Sequence, residues 1–316
     1  MQIYKYGENL RLNGSYAIAI GFFDGVHLAH RELISTAVKE AKKRGILSAV
    51  FTFSQKDESF KPSAKRIYSG ADKTEIIGSL GADALIIADF SQIRELSCDE
   101  FVNDILIDKL CCQLCVVGYN FRFGKGASGS SDTLCQLMNK ASKAALVIDE
   151  YTLDGMAVSS SVIRDRLSCG DMRGAGELLG SPYFISGRVE RGDGRGRTLG
   201  FPTVNIPISE SFTHIRLGVY ASLIRVGSAL LPGVTNIGVC PTTGRRELHA
   251  ETYIFEYDGD LYGEDVKVYP IELLREEKQF SALDELIMQI NIDKNKAFEI
   301  TKTELEKEKW QALGHN

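Results

Sequence analysis

The sequence predicts two folds in tandem. A doubly wound α/β unit with a parallel sheet occupies residues 1–180, and a small antiparallel β-barrel with a C-terminal helix occupies 181–316. Three observations predict this. A chain of 316 residues is long for one hydrophobic core. Its first half alternates continuous apolar runs with helical patterns, as a parallel sheet covered on both faces does. After about residue 181 the rhythm changes to turn residues and short alternating segments, as in a small barrel.

The elements follow in order. YAIAIG (16–21) reads as a buried strand. Leu33, Ile34, Ala37, Val38 and Ala41 then recur at helical spacing, and Gly45 is placed to stop that helix. ILSAVFTF (46–53) is the next strand, and a loop with Pro62 leads to the helix KTEIIGSL (73–80), ended by Gly81. ALIIADF (84–90) is a strand, DEFVNDILIDKL (99–110) a helix with an acidic start, and CQLCVVG (112–118) a strand. SDTLCQLMNKASKA (131–144) and ALVIDEY (145–151) complete the series. In the second half GVYASLIRV (218–226), ETYIFEY (251–257) and EDVKVYPIEL (264–273) alternate as strands. The tripeptide Asp258-Gly259-Asp260 is a hairpin signal between the last two. From Ser281 onward the chain reads as a helix packed on the barrel.

Composition is that of a globular protein, 44% hydrophobic and 25% charged. The net charge of −5 argues against broad nucleic-acid binding. No apolar run approaches the ~20 residues needed to span a bilayer, and the N-terminus lacks a signal-peptide pattern. A cytoplasmic protein without membrane partners is expected; oligomeric state stays open. Seven cysteines include a Cys112-x-x-Cys115 pair. A zinc site would need a second ligand pair at similar spacing, and none follows, so these thiols read as small apolar strand residues.

The chemistry begins at GFFDGVHLAH (21–30), between the first strand and its helix. Ligands bind at strand carboxyl ends in such sheets, and amides at a helix start attract phosphate. His27 and His30 lie three apart, on one face of the first helical turn, where they can donate to a phosphate gaining charge. This suits attack on the α-phosphate of a nucleotide with pyrophosphate leaving. A two-histidine zinc site, or histidines serving only core and cap, are the alternatives. In the second half GRVERGDGRGRTLGFPTVN (187–205) alternates glycines with Arg195 and Arg197, as a phosphate-covering loop or an ordinary surface turn. Pro202 opens a strand in which Thr203 and Asn205 share a side as oxygen ligands suited to Mg²⁺, or as a pair satisfying a turn. Glu251, on a face with Tyr253 and Phe255, is placed to act as a general base whose pKa burial would raise, or to pair with an arginine.

These segments carry a resemblance. GFFDGVHLAH is similar to the GxFDGVHxGH signature of the HxGH nucleotidylyltransferases, in the form found in bacterial bifunctional riboflavin kinase/FAD synthetases. VVGYNFRFGKGASG (116–129) resembles VVGxDFxFGxxxxG, and VSSSVIRDRL (158–167) resembles ISSTxIR. GRTLGFPTVN, NIGVCPT (236–242) and ETYIFEYDGDLYG (251–263) resemble the riboflavin kinase motifs GRxLGFPTxN, NIGxxPT and ETxIFxxDGDLYG. Three departures are visible: Ala29 for glycine, Asn120 for aspartate and Cys240 for a basic residue.

The resemblance implies phosphorylation of riboflavin by ATP to FMN in 181–316, and adenylylation of FMN to FAD in 1–180. It implies Glu251 as the base, with His27, His30 and Arg164 as catalytic groups of the second reaction. ATP or phosphate would be held by Gly21, Phe23, Asp24, Gly25, Ser159, Ser160 and Ser161. In the kinase half the corresponding residues are Gly194, Arg195, Gly196, Arg197 and Gly200. Asn120, Phe121 and Phe123 would contact flavin, and Thr203 and Asn205 would hold Mg²⁺. Ala29 and Asn120 motivate a rival, a kinase whose adenylyltransferase half is weak; a non-catalytic flavin-binding regulator is another.

Overall fold

The computed structural model describes residues 1–7, 9–54, 65–192, 200–240, 247–307 and 310, without the side chains of 240 and 247. By internal contacts the chain divides into Met1–Ala64 with Tyr68–Ser160, and Lys65–Ile67 with Ser161–Asn316. Among the described residues no helix is long and apolar enough to cross a membrane.

The first unit is built on six parallel strands: β1 (Gln2–Lys5), β2 (Tyr16–Ile20), β3 (Leu47–Phe53), β4 (Ala84–Ala88), β5 (Cys112–Gly118) and β8 (Ala144–Ile148). Their spatial order is β1-β4-β3-β2-β5-β8. All five residues of β2 are buried, because the sheet is packed on both faces. One face collects Ile18, Ile20, Phe51 and Ile86; the other collects Ala17, Ala19, Val50 and Leu85. Burying each of the larger chains contributes about 1.5–3 kcal/mol. Helix α1 (Leu28–Arg44) seals the second face with the five apolar residues its periodicity marks, and ends at Gly45.

Helix α2 (Gly70–Ser79) starts three residues before the expected Lys73. Ser69 and Asp72 form a reciprocal cap there that satisfies the first amides. Helix α3 (Cys98–Glu100, continuing as Phe101–Lys109) has the expected acidic start, capped by Ser97. Its continuation is wound with wider turns, as in the bond from Leu110 N–H to the Ile105 carbonyl (3.0 Å). A two-strand ribbon, β6 (Arg122–Phe123) with β7 (Gly129–Ser130), precedes α4 (Ser131–Lys140). A second ribbon, β9 (Thr152–Leu153) with β10 (Met156–Ala157), precedes α5 (Ser160–Cys169), which belongs to the second unit from Ser161 onward. Strand β1 was not anticipated, since four residues are too few to carry a period. Cys112 and Cys115 are fully buried strand residues, and burial pushes the Cys115 thiol up, away from reactivity.

The second unit holds α6 (Met172–Leu179) and six strands: β11 (Ile185–Arg188), β12 (Thr203–Ile208), β13 (Gly218–Val226), β14 (Ala229–Cys240), β15 (Glu247–Ile254) and β16 (Asp265–Arg275). They pair antiparallel in the order β11-β16-β13-β14-β15-β12. A single bridge, Glu190 with Asn205, brings the two ends of this sheet together into a nearly closed barrel. The hairpin expected at Asp258-Gly259-Asp260 is not formed. Strands β15 and β16 are not neighbours; β15 sits between β14 and β12, and β16 between β13 and β11. The turns fall on either side of the tripeptide, at Phe255–Glu256 and Tyr262–Gly263, and pairing follows the barrel order.

Helix α7 (Leu283–Leu305) packs on the outer barrel face, its Ala297 against Val219, Ala221, Val234 and Phe255. A half-buried ion pair from Arg275 Nε to Asp293 Oδ2 (2.8 Å) fastens it. Near its end Glu304 is buried among Arg173, Lys307 and the Trp310 indole, all donating to its carboxylate. Burial works against its charge, but the bonds from Lys307, Arg173 and Trp310 prevail and hold its pKa at about 2. A depressed carboxylate stabilises the fold above its ordinary value of 4.5, and that contribution is lost as pH falls toward 2. We expect Glu304→Gln to cost about 2 kcal/mol at neutral pH and to flatten the acid limb of stability against pH, as read by denaturant titration.

Candidate functional site

In the first unit, connections run from β2 to one side through β3 and β4, and to the other through β5 and β8. The order therefore reverses between β2 and β5, and the crevice at their carboxyl ends is where such sheets bind ligands. GFFDGVH leaves β2 at that point, and GYNFRF leaves β5 beside it.

The turn after β2 is tightly specified. Phe23, Gly25 and Val26 all have positive φ (51°, 77° and 42°), which glycine adopts freely but the β-branched Val26 rarely does. The Ser160 hydroxyl donates to the Asp24 carbonyl (3.0 Å), tying the start of α5 to this turn. His27 is the cap of α1 with extended backbone, not a helical residue, which corrects the expected placement. The two imidazoles still meet: His27 and His30 stack with centroids 3.6 Å apart and planes 18° apart. The Phe23 ring stands edge-on beneath His30 at 5.3 Å and is fully buried, so Phe23 can offer a ligand only its backbone. Gly21 adjoins that ring, and a Cβ there would lie 3.0 Å from it. Ala29 is half-buried in the first turn of α1.

At the end of β5, Asn120 is exposed and Phe121 half-exposed. Phe121 stacks on Phe123 (5.6 Å, 15°), and Phe123 is itself core, tilted against Phe101. Phe121 thus presents the accessible aromatic surface and Phe123 backs it. Ser159 and Ser160 are half-buried and Ser161 exposed. Arg164 falls in the second unit, where its Nε donates to the Lys65 carbonyl (2.7 Å).

In the second unit the register is decisive. Asn205 of β12 lies directly opposite Glu251 of β15, and Asn236 of β14 opposes Glu251 from the other side. Thr203 opposes Tyr253 one step along the same face. Two carboxamides thus flank one half-buried carboxylate, on the barrel face that also carries Val219, Val234 and Tyr253. Asn205 is buried, and its amide approaches the Thr203 carbonyl (3.5 Å). Gly192 backs it: a Cβ there would lie 2.5 Å from Nδ2, so any side chain at 192 would displace the carboxamide. Thr203 and Asn205 thus offer neutral oxygens beside a carboxylate, a donor set that fits a hard cation taking its other ligands from phosphate and water. Phe201 stands edge-on to Tyr253 at 5.5 Å. Gly200 has positive φ (85°), while Gly194, Arg195, Gly196 and Arg197 lie outside the described residues, as does the Cys240 side chain.

Family models described as FAD synthetase and riboflavin kinase match residues 11–162 and 179–301. The bifunctional riboflavin kinase/FMN adenylyltransferase of Bacillus subtilis is 34% identical over 288 residues, 89% of this chain and 90% of that protein. This chain belongs to that family. The Pseudomonas fluorescens enzyme of the same name is 35% identical, covering 93% of this chain and 96% of its own. A solved structure described as a macrolide-efflux protein from Streptococcus pneumoniae matches with a TM-score of 0.81 at 25% identity. It covers 93% of this chain and 97% of its own, a likeness of fold over nearly the full length.

The sequence alone does not mark Asn236 or Gly192 as neighbours of Glu251 and Asn205. Asn236 stands in the quoted NIGVCPT segment, but only strand pairing brings it beside Glu251. Lys73 was also missed, hidden in what reads as an ordinary helix; it is buried, with its ammonium at the carboxyl ends of β2 and β3.

Proposed function

We propose that the protein makes FMN from riboflavin and ATP in residues 181–316, then FAD from FMN and a second ATP in residues 1–180. The observation that carries this reading is that Glu251, Asn205 and Thr203 share one face of the barrel, while the histidine pair occupies the switch point of the separate parallel sheet.

In the kinase reaction Glu251 accepts the proton of the ribityl 5′-hydroxyl. That oxygen attacks the γ-phosphorus, and the bond to the bridging oxygen of ADP breaks. Thr203 and Asn205 would hold Mg²⁺, which supplies charge neutralisation on the ATP phosphates when bound. Asn236 flanks the carboxylate and restricts the directions open to it. In the second reaction a phosphate oxygen of FMN attacks the α-phosphorus of ATP and pyrophosphate leaves. The nucleophile is already anionic, so no base is required. Catalysis rests on placement and on charge stabilisation by His27, His30 and the turn amides, with Ser160 holding the turn. Arg164 is assigned to the departing pyrophosphate. Phe121 offers a stacking surface for the flavin ring.

The direct test is incubation of the purified protein with riboflavin, ATP and Mg²⁺, with products separated by chromatography. FMN followed by FAD is expected, and failure to consume ATP with either riboflavin or FMN overturns the reading. Accumulation of FMN without FAD favours the rival with a weak adenylyltransferase half. Gly192→Ala provides a geometric check. Displacing the Asn205 carboxamide should raise the Mg²⁺ concentration needed for half-maximal phosphorylation about tenfold, with FAD formation from supplied FMN unchanged. Cytoplasmic localisation belongs to the same proposal.

A further inference from the structure

The turn Phe22–Val26 owes its shape to side chains that grip its carbonyls from outside. The Phe22 carbonyl accepts from Thr52 Oγ1 (3.0 Å) and Lys73 Nζ (3.2 Å). The Asp24 carbonyl accepts from Ser160 Oγ (3.0 Å), and the Val26 carbonyl from Arg31 Nε (3.1 Å). Because a trans peptide is planar, fixing each carbonyl fixes the opposite direction of the next N–H: those of Phe23, Gly25 and His27. Backbone amides oriented in this way are among the groups that bind anions. The positive φ values at Phe23 and Val26 are conformations that L side chains rarely keep unless their surroundings enforce them.

Lys73 links the most elements in this arrangement. It projects from α2, is 3% exposed, and donates also to Thr52 Oγ1 (3.1 Å) and the Phe53 carbonyl (3.1 Å). Its ammonium lies 5.4 Å from the centroid of the Phe22 ring. One cation thus joins the end of β3 to the turn after β2. We propose that Lys73 is a positioning residue for adenylyl transfer: it holds the Phe22 carbonyl so that the Phe23 amide faces the nucleotide phosphates, and it sets a fixed positive charge behind the turn. This rests on the adenylyltransferase reading of the first unit. Lys73 acts through the turn, so its effect falls on ATP more than on FMN.

The test compares Lys73→Met with the unaltered full-length protein by two measurements. Hydrogen exchange should speed up at residues 22–27 while α1 stays protected. In FAD synthesis from supplied FMN, the KM for ATP should rise about tenfold, as expected for loss of a charge-assisted bond, with the KM for FMN within about twofold. Riboflavin phosphorylation in the same preparation should be unchanged. A merely structural role lowers the folded fraction, cutting kcat with both KM values unaltered; that result overturns the proposal, as does an exchange pattern at 22–27 like that of the unaltered protein. If the unaltered protein makes no FAD, the activity reading fails instead, and the exchange measurement still decides whether Lys73 holds the turn.

Discussion

Replacing Glu251 by alanine is expected to lower the rate of FMN formation by about a thousandfold or more, and to leave FAD formation from supplied FMN intact. Glu251 is half-buried between Asn205 and Asn236, with Thr203 one step along the same face. Removing a positioned base typically costs 10²–10⁴ in rate. Glu251→Gln keeps the size and hydrogen-bonding reach but cannot take the proton, so it should fall as far in kcat while the KM for ATP stays near its original value. A glutamine variant with nearly full activity would make the carboxylate a structural group and remove it from the mechanism.

His30→Ala should show the converse: FAD formation reduced by roughly 10²–10³, with riboflavin phosphorylation unaffected. His30 stacks on His27 and rests on the buried edge of Phe23, so its loss removes a donor and also frees the neighbouring imidazole to turn. The pair acts as a unit, and the double variant with His27→Ala should be scarcely worse than the single one. The reactions are read separately by chromatography of FMN and FAD. If Glu251→Ala and His30→Ala each abolish both products, independent sites are the wrong description. The unaffected reaction in each variant reports that the other unit is intact, and denaturant titration of the variant separates lost fold from lost chemistry in the substituted one.

Much of this was legible in the residues. The runs YAIAI and CQLCVVG announced buried strands because a strand covered on both faces is nearly all apolar, Gln113 being half-buried and bonded by Lys143; both are parallel and central. Helix α1 was readable to its last turn, since its apolar spacing and Gly45 agree. The second half was harder. Asp258-Gly259-Asp260 looked like a hairpin because turn chemistry is local, whereas β15 pairs with β14 and β12, and β16 with β13 and β11. His27 looked helical because spacing alone does not separate a cap from a first turn. Phe23 and Phe123 looked like ligand contacts because a motif names residues without saying which atoms face outward; both rings are core.

By itself the sequence determined the two fold classes, the family resemblance and the residue types that do the chemistry. Such properties reside in periodicity and short motifs, which need no distant contact to be recognised. Only the tertiary structure decided the strand order that puts the β2 and β5 turns on either side of one crevice, and the register that sets Asn205 and Asn236 against Glu251. It alone brought Lys73, far along the chain, under the Phe22 carbonyl. The reason is physical: pairing and burial are chosen by the whole set of competing apolar faces and hydrogen-bonding edges, so no short segment carries the information about which partner it will meet.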